Sequence, residues 1–205
     1  MTTTPRKQPR QSRSKATVDA ILDATARVLV EDGYDKLTTN RIATVAGVSI
    51  GSLYQYFPNK QAVVMAIADR HAVEMISLLS STLAELADAS VPVAVRTYVS
   101  TMIEIHTRDP ELHHALIQLV LQVGLDHFKE TDELAMSVIT AYLEQHADDV
   151  LPKDPKVAAW VLMTSVEALT HMFAFKQPSF VSQKALADEI TAIVLRYLYG
   201  DVRPC

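Results

Sequence analysis

From Lys60 to Leu86 the chain reads KQAVVMAIADRHAVEMISLLSSTLAEL, without a single glycine or proline. Strands rarely exceed about ten residues, so an uninterrupted apolar-rich run of this length has to be helix. The rest of the sequence obeys the same constraint. Only five of 205 residues are glycine, too few for the tight turns of a β-rich protein. The one Asp-Gly pair, Asp32-Gly33, follows a helical pattern and reads as a helix stop. Leu, Ala, Met and Glu, strong helix formers, are plentiful. The expectation is an all-α fold.

Prolines and glycines divide the chain into about nine helices. The first carries Ile21, Leu22, Thr25, Val28 and Leu29 on one face and ends at Gly33. Short helices follow near 39–46 and 49–57, the second stopped by Pro58. Asn59 can cap the long fourth helix. Pro92 and Pro110 open helices near 92–108 and 110–123. The last three are expected near 127–147, 155–176 and 182–199. The domain reading is a flexible basic arm at 1–13, a helix-turn-helix head at 14–60, and a helical bundle at 61–205 for ligand binding and dimerisation.

The net charge of −5 hides an asymmetry. Residues 1–60 hold nine Lys/Arg against five Asp/Glu, whereas residues 61–205 hold ten against nineteen. A basic front end on an acidic body suggests that only the front end meets a polyanion. Cys205 is the only cysteine, so no internal disulfide or thiolate metal cluster can form. The first fifteen residues are polar and basic, unlike a secretory signal, and the expected location is cytoplasmic. The segment VAAWVLMTSVEALTHMFAF (157–175) approaches membrane-span length. Glu167 and His171 inside it favour a buried helix, with no membrane partner.

Between Asp35 and Asp69 there is not one carboxylate. Within that gap Thr38 can cap a helix whose Ile42, Ala43 and Ala46 face inward. Gly47 can take the left-handed backbone of a tight turn. Val48 plugs the corner, and Ser49 caps a helix whose Leu53 and Phe57 turn inward. This is the layout of a helix-turn-helix, whose second helix enters the major groove. Ile50, Gly51, Ser52, Tyr54, Gln55 and Tyr56 are then left on the N-terminal and outer faces, where hydroxyls and amides can bond phosphates and base edges. The positive end of the helix dipole would add to the attraction for phosphate. A carboxylate there would repel the DNA backbone, which accounts for the gap. The competing reading is a plain helical hairpin with a solvated polar face.

The pattern T-T-x-x-I-A-x-x-A-G-V-S-x-G-x-L-Y-x-Y-F-x-x-K, with Gly33-Tyr34 after the first helix, resembles the N-terminal signature of the TetR (tetracycline repressor-like) family of bacterial transcriptional regulators. The resemblance spans roughly 15–65. It implies phosphate contacts from Thr39, Ser49, Tyr54, Tyr56 and Lys60, base contacts from Asn40, Ile50, Gly51, Ser52 and Gln55, and either from Arg41. Ile50 departs from the polar or basic residue many members carry, so direct readout leans on Gln55 and Ser52. Arg6, Lys7, Arg10, Arg13 and Lys15 are candidates to follow the minor groove or backbone.

The resemblance also implies a homodimer on a near-palindromic double-stranded operator. Its interface would come from Val157, Trp160, Val161, Thr164 and Ala168 on one helix and Leu186, Ile190, Ile193, Val194 and Tyr197 on the next. The competing reading is that each stripe simply fills its own subunit's core. A small-molecule effector would bind inside the bundle and shift the long fourth helix. Candidate lining residues are Tyr98, Met102, His106, His113, Phe128, Met163, Glu167 and His171. Glu167 and His171, four apart, share a face and can bond each other. No cofactor is implied. Neither a H-E-x-x-H motif nor a cysteine cluster points to a metal.

The expected function is a ligand-responsive transcriptional regulator, most often a repressor in this family. A nonspecific DNA-coating protein is the alternative. An all-α enzyme is the remote one, since no glycine-rich phosphate loop or G-x-S-x-G is present.

Overall fold

The computed structural model describes residues 12–86, 88–123 and 129–200. Among these residues there are nine helices and no strand. They are α1 (Ser12–Lys36), α2 (Thr39–Ala46), α3 (Ile50–Tyr56), α4 (Lys60–Glu85), α5 (Val91–Thr107), α6 (Pro110–Val123), α7 (Lys129–Gln145), α8 (Pro155–Lys176) and α9 (Gln183–Tyr199). Helix α1 corrects the sequence reading at both ends. It takes in Arg13, from the expected arm, while Arg6, Lys7 and Arg10 lie outside the described residues. At its other end Gly33 breaks the helical backbone, with φ 75° and ψ 166°, yet helical bonding resumes to Lys36.

Side chains placed by local rules start most of these helices. Thr38, Ser49, Asp154 and Ser182 each accept a backbone N–H from two or three residues ahead, opening α2, α3, α8 and α9. Asn59 does the same for α4, its Oδ1 accepting from Ala62 N at 2.9 Å. Each such cap is worth about 1 kcal/mol. Pro92 and Pro155 sit in the first turns of α5 and α8, where a missing N–H costs nothing.

The described chain divides into two compact units, and the division falls inside α4 at Glu74 and Met75. The first comprises residues up to Glu74 together with Glu111–Gly124. Its core gathers Ile21, Ala24 and Val28 of α1, Ile42 of α2, Leu53 of α3 with Phe57, and Val63, Val64 and Ile67 of α4. Leu112, Leu116 and Leu119 of α6 complete it. This unit takes in part of α4 and α6 besides residues 14–60. Thr25 is buried here and donates its hydroxyl to Ile21 O at 2.7 Å, which leaves no polar cost.

The second unit is Met75–Pro110 with Leu125–Cys205. Val95 and Val99 of α5, Ala159, Leu162 and Val166 of α8, and Ile190, Val194 and Leu198 of α9 form its core, joined by Leu143 of α7. The apolar segment 157–175 lies in α8, which is long and apolar enough to cross a membrane by length and composition. It is two-faced rather than wholly buried. Leu162, Val166 and Thr170 point inward, whereas Trp160, Leu169, Met172 and Phe175 are exposed.

Candidate nucleic-acid interface and ligand cavity

The turn between α2 and α3 is fixed by backbone chemistry. Gly47 adopts φ 67° and ψ 27°, a left-handed conformation that costs an L-residue roughly 1–2 kcal/mol. Its N–H bonds Thr44 O at 3.2 Å, and the Val48 N–H bonds Ala43 O at 3.0 Å. These two bonds make a Schellman termination, which satisfies the carbonyls of Ala43 and Thr44 and turns the chain sharply. Ser49 then starts α3 at once, its Oγ accepting from Ser52 N at 3.0 Å. With Leu53 fully buried and Phe57 nearly so, α3 is pinned by one face.

Its other face is open. Ser49, Ile50, Gly51, Tyr54 and Gln55 are exposed, as are Asn40 and Arg41 on α2, while Thr39, Ser52 and Lys60 are half-buried. Thr39 Oγ1 and Tyr54 Oη lie 3.1 Å apart and tie the two helices on that surface. The Lys60 ammonium donates to Tyr34 O at 3.1 Å and sits 4.3 Å above the Tyr34 ring. Arg41 reaches back to α1, with Nε 3.3 Å from Asp32 Oδ2 and a longer contact to Glu31. Tyr56 departs from the sequence reading: it is 8% exposed and belongs to the core. It stands three residues after Leu53, which puts the two on one side of the helix.

The second unit contains a cavity of about 350 Å³. Its walls come from α5 (Val91, Val95, Tyr98), α7 (Val138, Ala141, Tyr142), α8 (Leu162, Val166) and α9 (Val194, Leu198), among others. Of the residues expected to line a pocket, Tyr98 does so. Met163 lines a separate open groove between α7 and α8 beside Trp160, Asp132 and Glu144. Met102 is packed in the core. His113 belongs to the first unit, where its Nδ1 is 3.0 Å from His71 Nε2. Phe128 lies outside the described residues. The lining on α7 was missed, although Val138, Ala141, Tyr142 and Gln145 recur at helical spacing.

Titratable groups form their own network in the second unit. His106 is buried, with Nδ1 donating to Met102 O at 2.6 Å. Its ring meets that of His171 edge-on, 4.1 Å between centroids. His171 thus meets α5, and burial lowers its pKa. Burial and then Asp132 raise the pKa of Glu167. Burial and then Glu167 raise that of the Tyr98 phenol.

On the last two helices the expected interface residues divide. Val157, Trp160, Thr164, Ala168, Ile193 and Tyr197 are exposed, and Val161 and Leu186 are half-buried. Ile190 and Val194, however, fill this unit's own core, because α9 is apolar on more than one side and that pair falls on the inner one.

Residues 21–67 match the family model "Bacterial regulatory proteins, tetR family", and residues 90–198 match "Tetracyclin repressor-like, C-terminal domain". The chain belongs to the TetR family. The uncharacterized HTH-type transcriptional regulator YvkB of Bacillus subtilis (strain 168) is 28% identical over 146 residues, covering 65% of this chain and 77% of YvkB. A TetR-family regulator from Mesorhizobium loti has the same fold, with a TM-score of 0.75 at 18% identity over 91% of this chain and 97% of that one. SmeT, the repressor of the Stenotrophomonas maltophilia multidrug efflux pump SmeDEF, superposes with a TM-score of 0.67 at 23% identity, over 93% of this chain and 95% of SmeT. As a member of the TetR family the protein is a DNA-binding transcriptional regulator, not an enzyme.

Proposed function

We propose that the protein is a dimeric, effector-released repressor of the bacterial cytoplasm that occupies a near-palindromic operator. The observation that carries this reading is the pairing of two features in one chain: an acid-free helix-turn-helix face and, in the other unit, a formed cavity of about 350 Å³. Ligand pockets span roughly 300–1,000 Å³, so the cavity suits a small effector.

On the open face of α2 and α3, Thr39, Ser49 and Tyr54 hold phosphates, joined by Lys60 at the start of α4, and the Tyr56 hydroxyl contributes only from the edge of the core. Asn40, Ile50, Gly51, Ser52 and Gln55 meet base edges. Arg41 gives up part of its charge to Asp32 and Glu31, so it orients more than it attracts. One seven-residue helix covers few base pairs, and two-fold pairing doubles the site. Exposed Trp160, Leu169, Met172, Phe175, Ile193 and Tyr197 on α8 and α9 supply the apolar surface that such pairing buries. The effector acts by preferring one of two conformers, which is all that release requires.

The test is a titration of labelled duplexes, selected from random sequence, against the full chain. The expected result is two chains per duplex, affinity falling steeply with salt, and one palindrome retained under competitor DNA. A monomer without salt-sensitive affinity for any duplex would overturn the proposal. A protein that loses its palindrome to competitor is instead a nonspecific coat.

A further inference from the structure

We propose that the effector is an uncharged, mainly apolar molecule carrying a single hydroxyl or carbonyl group. This rests on the effector reading above and names the chemistry of that same cavity. Sixteen residues line it, and none is Asp, Glu, Lys, Arg or His. Leu86, Val91, Leu143, Leu162, Val194 and Leu198 give it aliphatic walls. An anion placed there would lose its water and gain no cation. A cation would gain no carboxylate. Either burial costs far more than a hydrocarbon body returns.

Four lining residues carry polar side-chain atoms: Tyr98, Ser137, Tyr142 and Gln145. The Tyr142 hydroxyl is committed, donating to Ala89 O at 2.8 Å. Ser137 and Gln145 are exposed residues of α7 and sit toward solvent. Tyr98, on α5, is the group that can meet a ligand's polar atom away from solvent. Burial and then Glu167 raise the pKa of its phenol, so it meets a ligand as a neutral hydroxyl. A fatty acid or any other carboxylate finds no Lys, Arg or His in this lining and is disfavoured, and the corresponding alcohol is accepted. One phenol within aliphatic walls orients one polar group, not several.

The experiment compares 1-octanol, octanoate and octylamine by calorimetry on the full-length protein at pH 7. The three share a chain and differ in charge. Octanol is expected to bind at least about tenfold more tightly than either ion, the minimum for a buried-charge penalty of this kind. Ala141→Trp and Val138→Trp, at two exposed lining positions, fill the space from its rim and should each abolish octanol binding while leaving the helical circular dichroism unchanged. Octanoate or octylamine binding as tightly as octanol would overturn the charge class and leave the effector reading standing. Octanol binding undiminished in both tryptophan variants would overturn the placement. Failure of all three probes to bind overturns the inference, whereas release from DNA is read separately with the selected duplex.

Discussion

Gly47→Ala isolates the contribution of the turn that aims α3. At φ 67° and ψ 27° the backbone is left-handed, which penalises an L-residue by roughly 1–2 kcal/mol. A Cβ built there meets no heavy atom within 4 Å, so no steric term is added. Loss of glycine's freedom in the unfolded chain returns about 0.4–1 kcal/mol. The balance is a destabilisation of about 1 kcal/mol. For a chain of this size that lowers Tm by roughly 2–4 °C, measurable by thermal and urea unfolding followed by circular dichroism. Gly47→Asn should cost less, because Asn tolerates this region. At 20 °C both variants should bind duplex within about twofold of the parent, since each termination bond uses the backbone alone. A loss above about 3 kcal/mol would show that the methyl meets something. A tenfold drop in DNA affinity at unchanged stability would show that the turn had moved. Either result refutes the reasoning.

Gln55→Ala should redistribute preference among operator variants by about 1–3 kcal/mol, read by competition against single-base changes; a uniform loss would remove it from base readout. Tyr54→Phe deletes the hydroxyl 3.1 Å from Thr39 Oγ1 and should weaken every duplex alike. Ile193→Asp puts a charge on an exposed apolar position of α9 and should weaken self-association at least about tenfold by sedimentation, with helicity intact. Glu167→Gln should raise Tm at pH 7.5, the gain shrinking as pH falls toward 4.5. Burial and Asp132 lift the folded carboxyl above its ordinary value, so the stability it lends is present below that value and lost as pH rises through the folded one. Glutamine mimics the protonated form, and a gain that grows toward acid would reverse the sign.

The helix-turn-helix was legible because its determinants are local. Thr38, Gly47, Ser49 and Asn59 act on backbone groups two or three residues away, and their spacing is written in the sequence. Tyr56 was misplaced for an equally local reason. A helix of seven residues makes about two turns, and choosing Phe57 as the inward residue leaves its neighbour's phase open. The structure buries both, at 8% and 2% exposed. On α9 the difficulty is of another kind. Ile190 and Val194 alternate with Ile193 and Tyr197, so two apolar stripes compete, and only the packing of α5 and α8 decides which one faces inward.

The cavity was less legible than either, because a void is a property of packing and not of residue type. Its walls are the same valines and leucines that fill the core beside it, drawn from helices far apart in sequence. A search for ligand chemistry goes first to His, Met and Glu. Those residues, once buried, must satisfy themselves. His106 does so, its Nδ1 donating to Met102 O. A polar side chain already provided for has little left to offer a ligand. The wall that welcomes one is bare of charge, and Tyr98, the residue common to the sequence reading and the cavity, qualifies because its phenol is mostly hydrocarbon.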